Sequence, residues 1–184
     1  MTVPNVLCWL RLASVPVLLL LAWWQQYDAY FWLLLFALGT DLADGFIARH
    51  FNMKTKSGAL LDSRADMALF LTAPVGLYLL FPEVFDAHAV LLIGVLTAYV
   101  LADLVGYLKW KRLPSYHTLG AKLSAVLLGA AAISLFLFPG VTWPLYLGGV
   151  VAIIAYTEEI FITMTLTQWE TDVPHLWAAR KKRG

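Results

Sequence analysis

Six long apolar stretches dominate the chain, and each is long enough to cross a lipid bilayer as a helix, which takes about 20 residues. The stretches are Val6–Trp24, Tyr30–Arg49, Gly58–Phe81, His88–Trp110, Thr118–Phe138 and Pro144–Trp169. Hydrophobic residues make up 61% of the chain and charged residues 14%, whereas a soluble domain carries about 25% charged residues. We therefore expect an all-α integral membrane protein. The short connections predict a single antiparallel bundle of six transmembrane helices, with one domain over residues 1–184.

Lysine and arginine residues are expected on one side of this bundle. The connections Gln25–Ala29, Pro82–Ala87 and Pro139–Trp143 contain none. The opposite connections and the tail 170–184 carry Arg49, Lys54, Lys56, Lys111, Arg112, Arg180, Lys181, Lys182 and Arg183, while Arg11, Arg64, Lys109 and Lys122 fall toward the same helix ends. Because basic residues accumulate on the cytoplasmic side, both termini are expected there, in a bacterial cytoplasmic membrane. The basic tail is expected to contact anionic headgroups.

Four aspartates lie inside the second and third stretches: Asp41, Asp44, Asp62 and Asp66. A carboxylate at the centre of a membrane helix costs about 2.5–3.5 kcal/mol on insertion scales, so each is a functional candidate. Each pair is three or four residues apart and therefore shares one helix face. Because the two helices run in opposite directions around a short turn, the four carboxylates are expected to meet in the cytoplasmic half of the bilayer. Such a set needs cations, and oxygen ligands favour two divalent ions, Mg²⁺ or Mn²⁺.

The residues between the aspartates suit a phosphate-binding pocket. Gly45 and Ala48 leave room beside the carboxylates, and Gly58 opens the third helix without a side chain. Arg49 is expected at the mouth of the pocket, where its planar guanidinium suits phosphate.

The segment from Asp41 to Asp66 resembles the signature of the CDP-alcohol phosphotransferase family. That signature reads D-x-x-D-G-x-x-A-R, eight residues, then G-x-x-x-D-x-x-x-D, and all eight defining residues stand here at the required spacing. The resemblance implies a phospholipid-biosynthetic enzyme in which an alcohol attacks the lipid-bearing phosphorus of CDP-diacylglycerol and CMP leaves. It also implies a homodimer.

The same resemblance implies a role for each residue of the signature. The four aspartates look like ligands of two divalent cations, Mg²⁺ or Mn²⁺, and Asp66 looks like a ligand that also serves as the general base. The residues that look like contacts for CDP and phosphate are Gly45, Ala48, Arg49 and Gly58.

The signature does not specify the identity of the acceptor alcohol. Glycerol 3-phosphate is the first choice, because the short chain resembles phosphatidylglycerophosphate synthases and a phosphorylated acceptor needs cations. The basic residues expected to bind it are Lys122, Lys109, Arg112 and His117. Serine, inositol phosphate and phosphatidylglycerol are the alternative acceptors.

Other classes of function explain less of the sequence. Intramembrane carboxylates also mark transporters and ion pathways, but here they cluster at one end of the bundle and no inverted repeat of broken helices is visible. A membrane scaffold leaves the aspartates unexplained, and a net charge of +1 gives no reason to expect nucleic acid.

Several residues outside the signature are open to two interpretations. Cys8 is expected to be a small core or lipid-facing residue. The acids of the fourth and sixth stretches either pair with Arg64 or Lys122 or contact the acceptor; they are Asp103, Glu158 and Glu159.

Overall fold

The computed structural model describes residues 3–51, 56–138 and 140–182, and in these ranges the chain is helical apart from turns and an isolated bridge between Ser115 and Thr171. The helices are α1 (Val3–Trp23), α2 (Tyr27–His50), α3 (Lys56–Leu80), α4 (Pro82–Trp110), α5 (Leu119–Leu137), α6 (Trp143–Thr165) and α7 (Leu176–Lys182). The first six coincide with the six predicted stretches, with ends shifted by a few residues. The short α7 was not predicted.

Four of the described helices are long and apolar enough to cross a membrane: α1, α4, α5 and α6. The composition and the helix lengths are therefore those of a membrane protein. Helices α2 and α3 have 24 and 25 residues, which also suffices for a span. They are less apolar because they carry the four aspartates of the signature.

The chain divides into two compact units, Met1–Ala87 and His88–Gly184. In the first unit α1 packs against both α2 and α3. The buried residues of α1 recur every three or four positions, so they form one face; they are Pro4, Cys8, Arg11, Ser14, Leu18 and Ala22. Arg11 and Cys8 thus belong to the inner face of α1.

Hydrogen bonds at the far end of this unit set the register of α2 against α3. The Tyr27 hydroxyl donates to the carbonyl oxygen of Leu80 at 3.1 Å, and the Gln25 amide donates to that of Leu79 at 2.6 Å. Asp41 lies 14 residues after Tyr27 (41 minus 27), and Asp66 lies 14 residues before Leu80 (80 minus 66). At about 1.5 Å per residue, both aspartates stand about 21 Å from this connection on helices of opposite direction.

In the second unit α5 packs against α6, and α7 packs against α6. A Cβ atom added at Gly148 would stand 3.1 Å from the backbone nitrogen of Leu128, so glycine permits the close approach of α5 and α6. Thr118 caps α5: its hydroxyl oxygen accepts a hydrogen bond from the backbone N–H of Ala121 at 3.1 Å.

The segment after α6 returns to the turn between α4 and α5. The backbone N–H of Asp172 donates to the carbonyl oxygen of Ser115 at 3.1 Å, and that of Leu119 donates to the carbonyl oxygen of Pro174 at 3.0 Å. A small apolar cluster seals this region, formed by the buried residues Tyr116, Ile162, Leu166, Val173 and Ala179.

Candidate active site

The four aspartates of the signature lie together around one arginine side chain. Nη1 of Arg11 stands 3.1 Å from an oxygen of Asp41 and 3.2 Å from one of Asp62, and it also pairs with Asp66. Nη2 of the same arginine pairs with Asp44. Helices α2 and α3 therefore present their acidic faces to α1, and the carboxylates meet as their spacing and antiparallel course require.

Cys8 lies one helical turn before Arg11 on the same face of α1. Its Sγ stands 3.4 Å from Oδ2 of Asp44 and 3.8 Å from Oδ1 of Asp62, and the residue is buried. The thiol is thus a neighbour of two of the carboxylates and does not face lipid.

Two overlapping groups of donor atoms have the spacing of a metal site. One comprises Cys8, Asp44 and Asp62, and the other comprises Asp41, Asp62 and Asp66; within each, the donor atoms lie within 4.8 Å of one another. Asp62 belongs to both groups. Carboxylate oxygens suit hard cations such as Mg²⁺ and Mn²⁺, so the donor set fits divalent cations.

The cluster has a closed side and an open side. The side chain of Arg11 is fully buried and that of Asp44 is 4% exposed, whereas those of Asp41, Asp62 and Asp66 are 45%, 36% and 50% exposed. These three carboxylates are therefore accessible to a ligand.

The remaining residues of the signature lie at the ends of α2 and α3. Gly45, Ala48 and Arg49 fall in the last turns of α2, and their side chains lie outside what the structure describes. Gly58 is in the first turn of α3 and is partly buried. Arg49 and Gly58 thus stand near the helix ends that flank the connection 51–55, of which residues 52–55 lie outside the described ranges.

The basic residues predicted to bind the acceptor have separate surroundings in the second unit. Nζ of Lys109 donates to the carbonyl oxygens of Thr163 at 2.8 Å, Met164 at 3.3 Å and Leu166 at 2.6 Å. An ammonium group has three N–H donors, so all three are used at the C-terminal end of α6. Lys122 lies in the first turns of α5, and its side chain is exposed.

Arg112 and His117 lie in the turn between α4 and α5. The guanidinium of Arg112 stacks over the Trp169 ring with its carbon 5.5 Å from the ring centroid. Nε2 of His117 shares a hydrogen bond of 3.1 Å with the hydroxyl of Ser115. Both side chains are exposed, so they remain accessible to a charged molecule.

The acids of the second unit have hydrogen-bond donors of their own. The Thr118 hydroxyl donates to Glu159 at 3.0 Å, and the backbone N–H of Leu176 donates to Glu158 at 2.8 Å. Asp103 shares a hydrogen bond with the side chain of Tyr99. The contacts of Glu159 and Glu158 connect α6 with the turn before α5 and with the start of α7.

Arg11 and Cys8 are the members of this cluster that the sequence analysis did not assign to it. Arg11 was interpreted as one of the basic residues at the cytoplasmic ends of the helices. A usable signal was present, because Cys8 and Arg11 are three residues apart and therefore share a face in a helix that contains no acidic residue. An arginine in such a helix needs carboxylates from its neighbours.

Comparison with known proteins shows what the chain is similar to. The CMP-forming cardiolipin synthase/mitochondrial hydrolase fusion protein of Schizosaccharomyces pombe is 35% identical over 119 residues, which cover 64% of this chain and 19% of that protein. The CDP-diacylglycerol–glycerol-3-phosphate 3-phosphatidyltransferase of Cereibacter sphaeroides is 37% identical over 78 residues, covering 40% and 35%. The CMP-forming cardiolipin synthase of Streptomyces coelicolor is 37% identical over 83 residues, covering 42% and 39%.

The chain spans about a fifth to two fifths of the length of these relatives. No solved structure matches it significantly. The sequence profile of the CDP-alcohol phosphatidyltransferases matches residues 1–166, which include α1 to α6 and all four aspartates. The chain therefore belongs to the CDP-alcohol phosphatidyltransferase family.

Proposed function

We propose that this protein transfers a phosphatidyl group from CDP-diacylglycerol to a small alcohol and releases CMP, as a step of phospholipid biosynthesis. The observation that supports this most is the convergence of Asp41, Asp44, Asp62 and Asp66, which bear the family signature, in one acidic cluster. A transporter would use such carboxylates along a path, whereas here they form one compact group open on one side.

Under this proposal the four aspartates hold two divalent cations, Mg²⁺ or Mn²⁺. When bound, these ions neutralise the charge that develops on the phosphoryl oxygens during displacement at phosphorus. The donor groups that share Asp62 support two ions and not one. Gly45, Ala48, Arg49 and Gly58 bind the CDP and phosphate portion of the donor.

Asp66 is the proposed general base. It is the most exposed of the four carboxylates, so an acceptor hydroxyl can approach it. Asp66 takes the hydroxyl proton while the acceptor oxygen bonds to the lipid-bearing phosphorus, and the bond from that phosphorus to the oxygen of CMP breaks. The electron pair of that bond leaves with CMP.

Glycerol 3-phosphate is the proposed acceptor. A relative named for glycerol 3-phosphate supports it, as do the exposed basic side chains of Lys122, Arg112 and His117. To bind the acceptor phosphate, Lys109 would have to give up one of its hydrogen bonds to the carbonyl oxygens at the end of α6. Because two relatives are named cardiolipin synthases, phosphatidylglycerol is the second acceptor to test.

We also propose six membrane spans in one domain, with both termini and the acidic cluster toward the cytoplasm of a bacterial cell. The lengths of α2 and α3 support the two additional spans, and the one-sided distribution of lysine and arginine supports the orientation. A homodimer is proposed from the family resemblance alone.

The test is CMP release by the purified protein in mixed micelles of detergent and CDP-diacylglycerol. CMP should appear only when an acceptor and Mg²⁺ or Mn²⁺ are both present, and chelation should abolish it reversibly. Asp28→Asn is the matched control, because Asp28 is an exposed aspartate of α2 outside the cluster. Full CMP release by a thoroughly metal-free preparation would refute the two-cation centre.

A further inference from the structure

Arg11 is a fully buried cation in contact with every carboxylate of the signature. The other buried residues on this face of α1 are uncharged, and the helix contains no acidic residue. Arg64 of the same unit is exposed. Among the described residues, Arg11 is thus the cation that forms an ion pair with each of the four aspartates.

The charges around Arg11 do not balance. Four carboxylates contribute −4 and the guanidinium contributes +1, so the group has a formal charge of −3. A buried charge without compensation is costly, and arginine cannot lose its proton to adapt. One guanidinium therefore lowers the repulsion between the carboxylates without abolishing it.

The guanidinium contacts all four carboxylates that belong to the donor groups. It pairs with Oδ2 of Asp44 and Oδ1 of Asp62, the two atoms that also face Sγ of Cys8. It pairs with Asp41 and Asp66 of the second donor group as well. Arginine has no lone pair to offer a metal, so a divalent ion and the guanidinium compete for these oxygens.

One hydrogen-bond donor of the Arg11 side chain is unsatisfied. Its Nε is buried and has no hydrogen-bond partner in the described residues. Buried N–H groups are paired in the great majority of cases, so an orphaned one calls for an explanation. A side chain held only by its two terminal nitrogens can turn away from the carboxylates without breaking a bond at Nε.

We propose that Arg11 is a resident counter-cation that holds the four carboxylates together before divalent ions bind, and that it competes with those ions for the carboxylate oxygens. This inference rests on the proposed two-cation centre. Arg11 then has two opposite effects: it stabilises the metal-free protein and weakens the binding of metal. A merely structural arginine would have the first effect without the second.

The test compares three variants with the unchanged protein in detergent. Arg11→Met keeps an apolar stem and removes the charge, Arg11→Lys keeps a charge that cannot reach four carboxylates together, and Arg64→Met is the control. The melting temperature is measured with chelator and along a Mn²⁺ titration. Free Mn²⁺ is followed by its electron paramagnetic resonance signal, so affinity is read without any turnover.

Arg11→Met should melt at a lower temperature with chelator, gain more stability from Mn²⁺ than the unchanged protein, and bind Mn²⁺ at least about tenfold more tightly. The estimate follows because an opposite charge near a carboxylate changes its proton affinity by about ten- to a thousandfold. The melting temperature and Mn²⁺ affinity of Arg11→Lys should lie between those of Arg11→Met and of the unchanged protein. Those of Arg64→Met should equal those of the unchanged protein. If Arg11→Met folds only in the presence of Mn²⁺, that result supports the proposal too.

Unchanged or weaker Mn²⁺ binding by Arg11→Lys and Arg11→Met would overturn the competition. If the protein without substitutions binds Mn²⁺ but does not release CMP, the proposed reaction is refuted and the proposed role of Arg11 is not. A protein that binds no Mn²⁺ would refute both.

Discussion

At the scale of single residues, Asp62 occupies a special position among the carboxylates. It belongs to both groups of donor atoms, and it contacts both Arg11 and the thiol of Cys8. Asp66 belongs to one group and is half exposed. Loss of either carboxylate should therefore have different consequences for metal binding and for turnover.

Asp62→Asn should remove most Mn²⁺ binding together with activity, because both donor groups lose a member. Asp66→Asn should lower kcat by about 10²–10⁴-fold, the usual contribution of a general base, while part of the Mn²⁺ is retained. The measurements are steady-state kinetics and Mn²⁺ stoichiometry, with Asp28→Asn as control. Near-normal turnover of Asp66→Asn would remove it from the role of base.

Cys8 adds a soft ligand to a cluster of hard ones. Thiolates prefer metals such as Cd²⁺, so Cd²⁺ added to the protein should produce the ultraviolet charge-transfer absorption of a sulfur–cadmium bond. Cys8 is the single cysteine of the chain, so Cys8→Ser should abolish the band while Mn²⁺ binding persists. A band that survives in Cys8→Ser, or no band in the unchanged protein, would place the thiol outside the metal environment.

The proposed binding of a phosphorylated acceptor can be tested at Lys122. Lys122→Ala should raise the KM for glycerol 3-phosphate about ten- to a hundredfold and leave the KM for CDP-diacylglycerol nearly unchanged, since a charge-assisted hydrogen bond contributes about 1.5–3 kcal/mol. Lys181→Ala is the control, as an exposed lysine of α7. A stable Lys122→Ala protein with an unchanged acceptor KM would contradict a phosphorylated acceptor held by this residue.

The acidic cluster illustrates how far sequence alone could lead at this scale. The spacing of the aspartates on α2 and α3 was sufficient to predict that they meet, because helix periodicity and a short turn determine which faces oppose each other. Arg11 could not be placed in the same way, because its position depends on the rotation of α1 about its own axis. That rotation follows from the packing of Leu18 and Ala22, both fully buried, against neighbouring helices.

At the scale of helices, the second unit is held together by the segment that follows α6. This segment hydrogen-bonds to Ser115 and Leu119 around the turn before α5, and Val173 fills the apolar cluster at 0% exposure. Residues beyond 166 lie outside the part of the chain that matches the family profile. The sequence suggested only a basic tail here, because these backbone hydrogen bonds leave no periodic pattern.

Val173→Asp should destabilise the second unit by more than about 3 kcal/mol, because it buries an unpaired charge. The turn at Lys111 and Arg112 should then be cut faster by trypsin. Thr167→Asp is the matched control, as an exposed β-branched residue of the same segment. Equal trypsin sensitivity of the two variants would show that the segment does not hold the turn.

At the scale of the whole molecule, the described part of the chain combines four strongly apolar helices with α2 and α3, which carry the four aspartates of the signature. The six long helices could be predicted from the sequence, because length and hydropathy depend on local composition, but their ends differ by up to six residues, as at the start of α4. The number of spans and their orientation are still predictions, since they depend on how α2 and α3 lie in a bilayer.

Orientation can be tested by labelling single cysteines in intact cells, in a Cys8→Ser background. A cysteine at Glu83, in the exposed first turn of α4, should react with an impermeant thiol reagent from outside. A cysteine at the exposed Lys111, at the other end of α4, should react only after the cells are permeabilised. The predicted orientation is wrong if the labelling pattern is reversed.

The pairing of Arg11 with distant carboxylates also dictates an order of events during synthesis. Arg11 leaves the ribosome 33 positions before Asp44 and 55 positions before Asp66. At about 5–20 residues per second, the first helix waits roughly 3–11 seconds for its last partner. An arginine at the centre of an isolated membrane helix costs about 2.5–3.5 kcal/mol on insertion scales. If α2 and α3 span the membrane as proposed, we expect the nascent chain to complete its charge pairing only when α3 has been made, and α1 to α3 to enter the bilayer as a cooperative group.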